Sequence, residues 1–492
     1  ATIIGAKQGE FVADRNHITR VWMDHGLWPL MTTALYIDQT GDLDFLLQEN
    51  GYFKDKQIER GTGTDLKFFE GDKPVQKDVQ EYVGSVLEHL LVQNLTSFYE
   101  VGEHNHMRLR GADWNDALDM ASKRGESVAF TAAYAGNMEL LADLIESLAE
   151  KRNLTFIEVA EEMKLLFTDD LALYDSIEKK QELLAAYCAS CGHVISGEKA
   201  CLDVAEAVKS LRSKAAEIKE HIRENEWIED GTYGWFNSYY DDHGRKVEGF
   251  IEERVRMMLT GQVFTIMSGT AKEEQIAKIV NSADKYLYEK EAGGYRLNTD
   301  FGLVKMDLGR MFGFAYGHKE NGAVFSHMTT MYANALYKRG FVKEGYKALY
   351  TLFSQASNFE VSRIYPGIPE YFDKKGRGMY HYLTGAASWY MMTVINEMFG
   401  VKGRLGALCL EPKLLKEQFD DTGRAEVDLC FGGISWKIIY INKDKKDYGS
   451  YQVGEILLDG KKISRKEGIV VSGEEIAAMD AAKQHEIIAE LV

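Results

Sequence analysis

Arg108-Leu-Arg-Gly-Ala-Asp-Trp-Asn-Asp-Ala-Leu-Asp119 sets three carboxylates and a tryptophan in a glycine-led turn between two stretches that read as helix. Before it, Val83, Val86, Leu87, Leu90 and Leu91 recur at the spacing of one helical face and predict a helix over 79–101. After it, 127–148 reads as the next helix. The same rhythm predicts helices over 20–36, 42–49, 153–167 with Asn153 as its cap, 176–189, 204–226, 254–266, 272–288, 324–338, 342–356 and 386–399. Segments 61–77 and 293–322 read as loops, and 231–249, with Trp235, Phe236, Tyr239 and Tyr240, reads as a hairpin. Only five prolines interrupt the chain. Long helices with short connections predict a mainly α architecture, a toroid of helical hairpins.

The texture changes after Gly400. Stretches 425–429, 436–441, 451–458 and 462–463 alternate in polarity, are rich in β-branched and aromatic residues, and are separated by Gly and Asp turns. The expected organisation is therefore a helical domain over 1–400 and a small β domain over 401–492.

With 492 residues, 45% of them apolar and 27% charged, the chain has the composition of a globular protein with a large core. A net charge of −18 argues against nucleic acid or an anionic membrane as partner. No apolar run is long enough to span a bilayer and no basic-then-apolar leader is present, so a cytoplasmic location is expected. Five cysteines make no disulfide framework. Cys188, Cys191, His193 and Cys201 include the ligand types of a zinc site, but their spacing is irregular and helical sequence surrounds them, so ordinary thiols are the stronger expectation. His104-Asn-His106 lacks the remaining ligands of a closed site.

Within the opening stretch, a carboxyl held against the indole of Trp114 and away from water has its charged form disfavoured, as a general acid requires. The competing reading makes Asp113 or Asp116 a helix cap and Trp114 a core residue.

Three motifs together resemble the glycoside phosphorylases of glycoside hydrolase family 94: Gly111-Ala-Asp-Trp-Asn-Asp116, Lys319-Glu-Asn-Gly-Ala-Val-Phe-Ser-His327, and Pro369-Glu-Tyr-Phe with Gly376-Arg-Gly-Met-Tyr-His-Tyr-Leu-Thr-Gly-Ala-Ala-Ser-Trp389. The resemblance implies an (α/α)6 barrel, here missing its first helix, followed by a C-terminal β-sandwich of jelly-roll type. Ala1 is then expected to lie inside the barrel domain of a longer parent, with a homodimer or association with the missing N-terminal segment as the expected assembly. The implied activity is reversible, inverting phosphorolysis of a β-linked gluco-oligosaccharide, with inorganic phosphate as co-substrate and no cofactor or metal.

An inverting hydrolase needs an acid and a base, whereas phosphate is already an anion, so one carboxyl suffices. By resemblance that acid is Asp116, and Trp114 lines the sugar site. His327, Thr384 and Gly385 match phosphate-binding positions; an imidazole, a hydroxyl and a backbone N–H ahead of a helix all suit phosphate oxygens. Arg15 falls where the family binds phosphate, and Arg20 and Asp24 where it holds the donor sugar, although the local sequence departs from that of the cellobiose enzymes. Lys319 and Tyr365 fall near acceptor positions, and Glu370 and Arg377 near the third motif's loops. The unusual 20–26 segment inclines the substrate reading towards a 1,2-β-oligoglucan. Two other readings stand beside it: an inverting hydrolase with Glu370 as base, and a non-catalytic sugar-binding or assembly subunit.

Overall fold

A computed structural model describes residues 22–52, 57, 58, 63, 64, 82–191, 195–364, 367–380 and 384–492. The expected sites Arg15, Arg20 and Tyr365, and His193 of the cysteine cluster, lie outside the described residues. The chain is about 44% helical, with several sheets towards its C-terminus. It divides into two compact units: residues up to Thr32 with Leu43–Leu287 and Asn298–Gly322, and Thr33–Asp42 with Tyr288–Leu297 and Ala323–Val492.

In the first unit the helix Val128–Arg152 is central and packs against Val86–Tyr99, Val204–Asn225 and Leu259–Met267. Its N-terminal half is buried almost all round, with Val128, Phe130, Tyr134, Met138 and Leu141 inaccessible to solvent, as befits a helix with neighbours on several sides. Ser127 starts it by accepting the Phe130 N–H at 3.1 Å. Asn153 does not begin the helix expected over 153–167. It ends the preceding one in the left-handed conformation (φ 53°), and Phe156–Ala160 pairs as a strand with Lys199–Asp203 before a 3-10 turn at Glu161–Phe167. Ile157 and Val159 alternate with Phe156 and Glu158, and that two-residue period governs the segment.

In the second unit the helix Ser326–Lys338 packs on Val342–Ser357 and on Gly385–Met392. The last of these continues as a π-helical turn, Thr393–Met398. Towards the C-terminus, Arg424–Phe431, Ile434–Ile441, Gln484–Leu491, Val453–Leu458 and Lys461–Ile463 form a five-stranded sheet in that order. Val401–Arg404, Ala407–Leu410 and Ile469–Val471 form a three-stranded one. In the larger sheet Ile434–Ile441 and Gln484–Leu491 run parallel, and Trp436, Ile438, Tyr440, Ile487 and Ala489 are fully buried.

Candidate active site

The turn after Val86–Tyr99 holds unusual backbone at residues that rarely adopt it. Arg110 and Ala112 have positive φ (56° and 154°), and Arg110 is fixed by an ion pair with Glu100. The 22–27 turn lies along this segment, with the Met23 N–H donating to the Ala112 carbonyl at 2.9 Å. Tyr134 on the central helix donates to the Met23 carbonyl at 2.7 Å. A folded loop and a rigid helix therefore hold Asp24 and Asp113 in one region.

The shielded carboxyl beside Trp114 is Asp113, which is 1% exposed. It accepts from the Asn115 N–H at 3.0 Å and from the Ser127 hydroxyl at 2.9 Å. Burial pushes its pKa up to about 7; the nearby charge of Asp24 adds to the rise, while the two donors oppose it. Asp24 is itself buried and raised above the ordinary aspartate range by desolvation, against the stabilising donation of Trp28 Nε1 at 2.7 Å.

Asp116 is placed differently. Its side chain is 57% exposed and faces Arg310, with Nη2 3.1 Å from Oδ2. Arg310 Nη1 also donates to the Asp116 carbonyl at 2.8 Å and pairs with Asp119. The segment bearing Arg310 is locked onto the turn, with the Met311 N–H donating to the Ala117 carbonyl at 3.1 Å and the Met120 N–H to the Leu308 carbonyl at 3.2 Å. Gly309 is required there because a Cβ would lie 2.1 Å from the Ala117 oxygen. Arg310 escapes the sequence reading, since 293–322 shows no periodicity, and the signal within it is a glycine directly before an arginine; Asp119 stands in the opening stretch but is given no role there. Lys319, also in this unit, occupies a tight turn with φ 49°, its Nζ 5.4 Å from the Phe314 ring centre.

In the second unit His327 is the second residue of Ser326–Lys338, and Gly385 the first of Gly385–Met392. A three-stranded ribbon sets the first of these helices: Val324–Phe325 pairs with Tyr371–Phe372, which pairs with Gly378–Met379, and the Ser326 N–H donates to the Glu370 carbonyl at 2.9 Å. Thr384 caps the second helix by accepting the Ala386 N–H at 3.3 Å. The two N-termini meet at the imidazole, because a Cβ on Gly385 would lie 2.5, 2.8 and 2.9 Å from three atoms of the His327 ring. Burial pushes the His327 pKa down to about 4, so the ring is neutral at pH 7. The N-terminus of Gly385–Met392, with its backbone N–H groups and dipole, thus lies against a hydrogen-bonding ring at the start of Ser326–Lys338.

Asp24, Trp114, Asp116 and Lys319 thus belong to one unit, and His327, Thr384 and Gly385 to the other. Of the cysteine cluster, Cys188 and Cys191 end the helix Ile177–Cys191 and Cys201 lies in the strand Lys199–Asp203. Among the described residues no three His, Cys, Asp or Glu are grouped to hold a metal ion, and no helix is long and apolar enough to cross a membrane. His104 and His106 instead bond the buried carboxylates Glu126 and Glu226 at 2.6 and 3.0 Å.

A helical fold carrying an acidic loop in one unit and a paired helix N-terminus in the other is the setting in which the comparisons fall. Residues 202–400 match the catalytic domain of the glycosyl hydrolase 94 superfamily. The chain is 23% identical over 454 residues to the solabiose phosphorylase of Paenibacillus borealis, covering 90% of this chain and 47% of that protein. It is 22% identical over 449 residues to the N,N'-diacetylchitobiose phosphorylase of Vibrio proteolyticus, covering 89% and 44%. It is 21% identical over 410 residues to the cyclic β-(1,2)-glucan synthase NdvB of Rhizobium meliloti (strain 1021), covering 80% and 12%. The chain spans about half the length of the two phosphorylases. The likeness to the glycosyl hydrolase 94 superfamily thus rests on residues 202–400 and on relatives that are 21–23% identical to this chain.

Proposed function

We propose that this chain catalyses reversible phosphorolysis of a β-linked gluco-oligosaccharide with inversion, yielding an α-sugar 1-phosphate and a shortened saccharide. The observation that carries the proposal is the meeting of two helix N-termini at the neutral His327 ring, against a glycine that leaves room for nothing larger. In this reading His327, Thr384 and the Gly385 N–H hold the phosphate, with Arg15 as a further cation. Asp116 gives its proton to the glycosidic oxygen as the C1–O bond breaks, and a phosphate oxygen forms the new bond at C1 from the opposite face. Phosphate needs no base, so no second carboxyl is assigned. Trp114, Arg20 and Asp24 hold the donor sugar, and Lys319 and Tyr365 the acceptor.

The finer architecture belongs to the same proposal: an (α/α)6 barrel over 1–400 and a β-sandwich over 401–492, acting in the cytoplasm as a homodimer or with a preceding segment. The likeness to the cyclic β-(1,2)-glucan synthase favours a 1,2-β-oligoglucan substrate. Incubation with β-1,2, β-1,3 and β-1,4 gluco-oligosaccharides, with and without inorganic phosphate, tests it. Phosphate-dependent sugar 1-phosphate that vanishes in Asp116→Asn is the expected result. Free glucose released without phosphate supports the hydrolase reading, and sugar binding without turnover the binding subunit.

A further inference from the structure

We propose that Arg310 is the positioning residue for Asp116, with Asp119 as the anchor that fixes its guanidinium; this rests on the phosphorolysis reading. The geometry is that of a clamp. One guanidinium nitrogen faces the Asp116 carboxylate at 3.1 Å, while the other donates to the same residue's carbonyl at 2.8 Å and pairs with Asp119. The backbone closes the arrangement, since the Arg310 N–H donates to Asp119 Oδ1 at 3.3 Å and the Met311 N–H to the Ala117 carbonyl at 3.1 Å. Gly309 permits this approach, as a Cβ there would meet both the Ala117 oxygen and Leu118 Cα, at 2.1 and 2.6 Å.

Stability alone is a poor reason for such a clamp. The side chains of Asp116 and Arg310 are 57% and 38% exposed, and an ion pair so open to water contributes little to folding. Its consequence is directional. A side chain on a turn samples several rotamers, and a planar fork gripping both its carboxylate and its carbonyl selects one. As the Asp116 proton passes to the leaving oxygen, negative charge builds on the carboxylate, and the guanidinium already faces it. Asp119, 16% exposed, keeps Arg310 in place through that change.

The test uses the full chain in the synthetic direction with α-D-glucose 1-phosphate. Transfer to a saccharide acceptor requires Asp116 to take the acceptor's hydroxyl proton. Transfer to azide requires no base: the C1–N bond forms, the C1–O bond to phosphate breaks, and β-glucosyl azide and inorganic phosphate leave. Asp116→Asn should lose saccharide transfer by ~10²- to 10⁴-fold and keep azide transfer. Arg310→Gln should reproduce that pattern with kcat for saccharide transfer down ~10²-fold, azide transfer within about twofold, and an unchanged melting temperature. Arg310→Lys restores charge without the fork and should remain at least about tenfold down, which also serves if the Gln variant does not fold.

Saccharide transfer by Arg310→Gln or Arg310→Lys within about threefold of wild type overturns the proposal. So does an equal loss of azide and saccharide transfer, the signature of a merely structural role. Failure of the wild type to release phosphate with any gluco-saccharide acceptor or with azide overturns the phosphorolysis reading itself, and this inference with it.

Discussion

Gly385→Ala is the sharpest perturbation that the structure offers. A Cβ at this position would lie 2.5, 2.8 and 2.9 Å from three atoms of the His327 imidazole. Non-bonded carbons rest at about 3.5–4.0 Å, so the ring must retreat by about 1 Å or turn from its plane. A misplacement of that size at a binding or catalytic group costs on the order of 10²-fold, or about 2.7 kcal/mol. The penalty falls on phosphate because the displaced ring is one of its proposed ligands, while Asp24, Trp114 and Lys319, assigned to the sugars, belong to the other unit. Initial rates of phosphorolysis at varied phosphate should show the phosphate KM raised ~10²-fold, with the saccharide KM within about twofold. An unchanged phosphate KM in a folded variant would refute the assignment of this pair of helix ends.

Asp113→Asn should flatten the pH dependence of stability. The folded-state pKa of about 7 lies above the model-peptide value of 3.8, so the folded chain binds a proton that the unfolded chain has released. Asp113's contribution is full below about pH 4 and is lost as pH rises to about 7, up to roughly 4 kcal/mol in all; denaturant midpoints from pH 4 to 8 in both proteins read it. Trp28→Phe removes the 2.7 Å donor to buried Asp24 and should cost about 1–3 kcal/mol in urea unfolding, while raising the Asp24 pKa further. Gly309→Ala sets a methyl 2.1 Å from the Ala117 oxygen, so the clamp on the acidic turn must open. Its kcat should fall ~10²-fold, whereas a kcat equal to wild type would show that the contact is slack.

Much of the helical skeleton was legible because long amphipathic stretches announce themselves, as with the buried Leu87, Leu90 and Leu91 of Val86–Tyr99. The strands around Trp436 were legible for the same reason at period two. Asn153 misled because asparagine serves both ends of a helix, capping the start or taking left-handed φ at the finish. Gln484–Leu491 escaped because Gln484, His485, Glu486 and Glu490 leave only four apolar residues in its eight. At the candidate site the motif was legible but the environments were not. Asp113 is buried, bonded by Ser127 and charged against Asp24, and Asp116 is paired with Arg310, a residue 194 positions away. Local sequence cannot rank two aspartates three residues apart when distant chain decides which one meets water.

The anomeric configuration of the first-formed sugar phosphate tests the central claim most directly. Proton NMR of the anomeric signal, followed from the start of a reaction with a β-linked gluco-oligosaccharide and inorganic phosphate, should show the α-sugar 1-phosphate appearing in step with the shortened saccharide. A β-configured phosphate, or free sugar whose release is indifferent to phosphate, would contradict it.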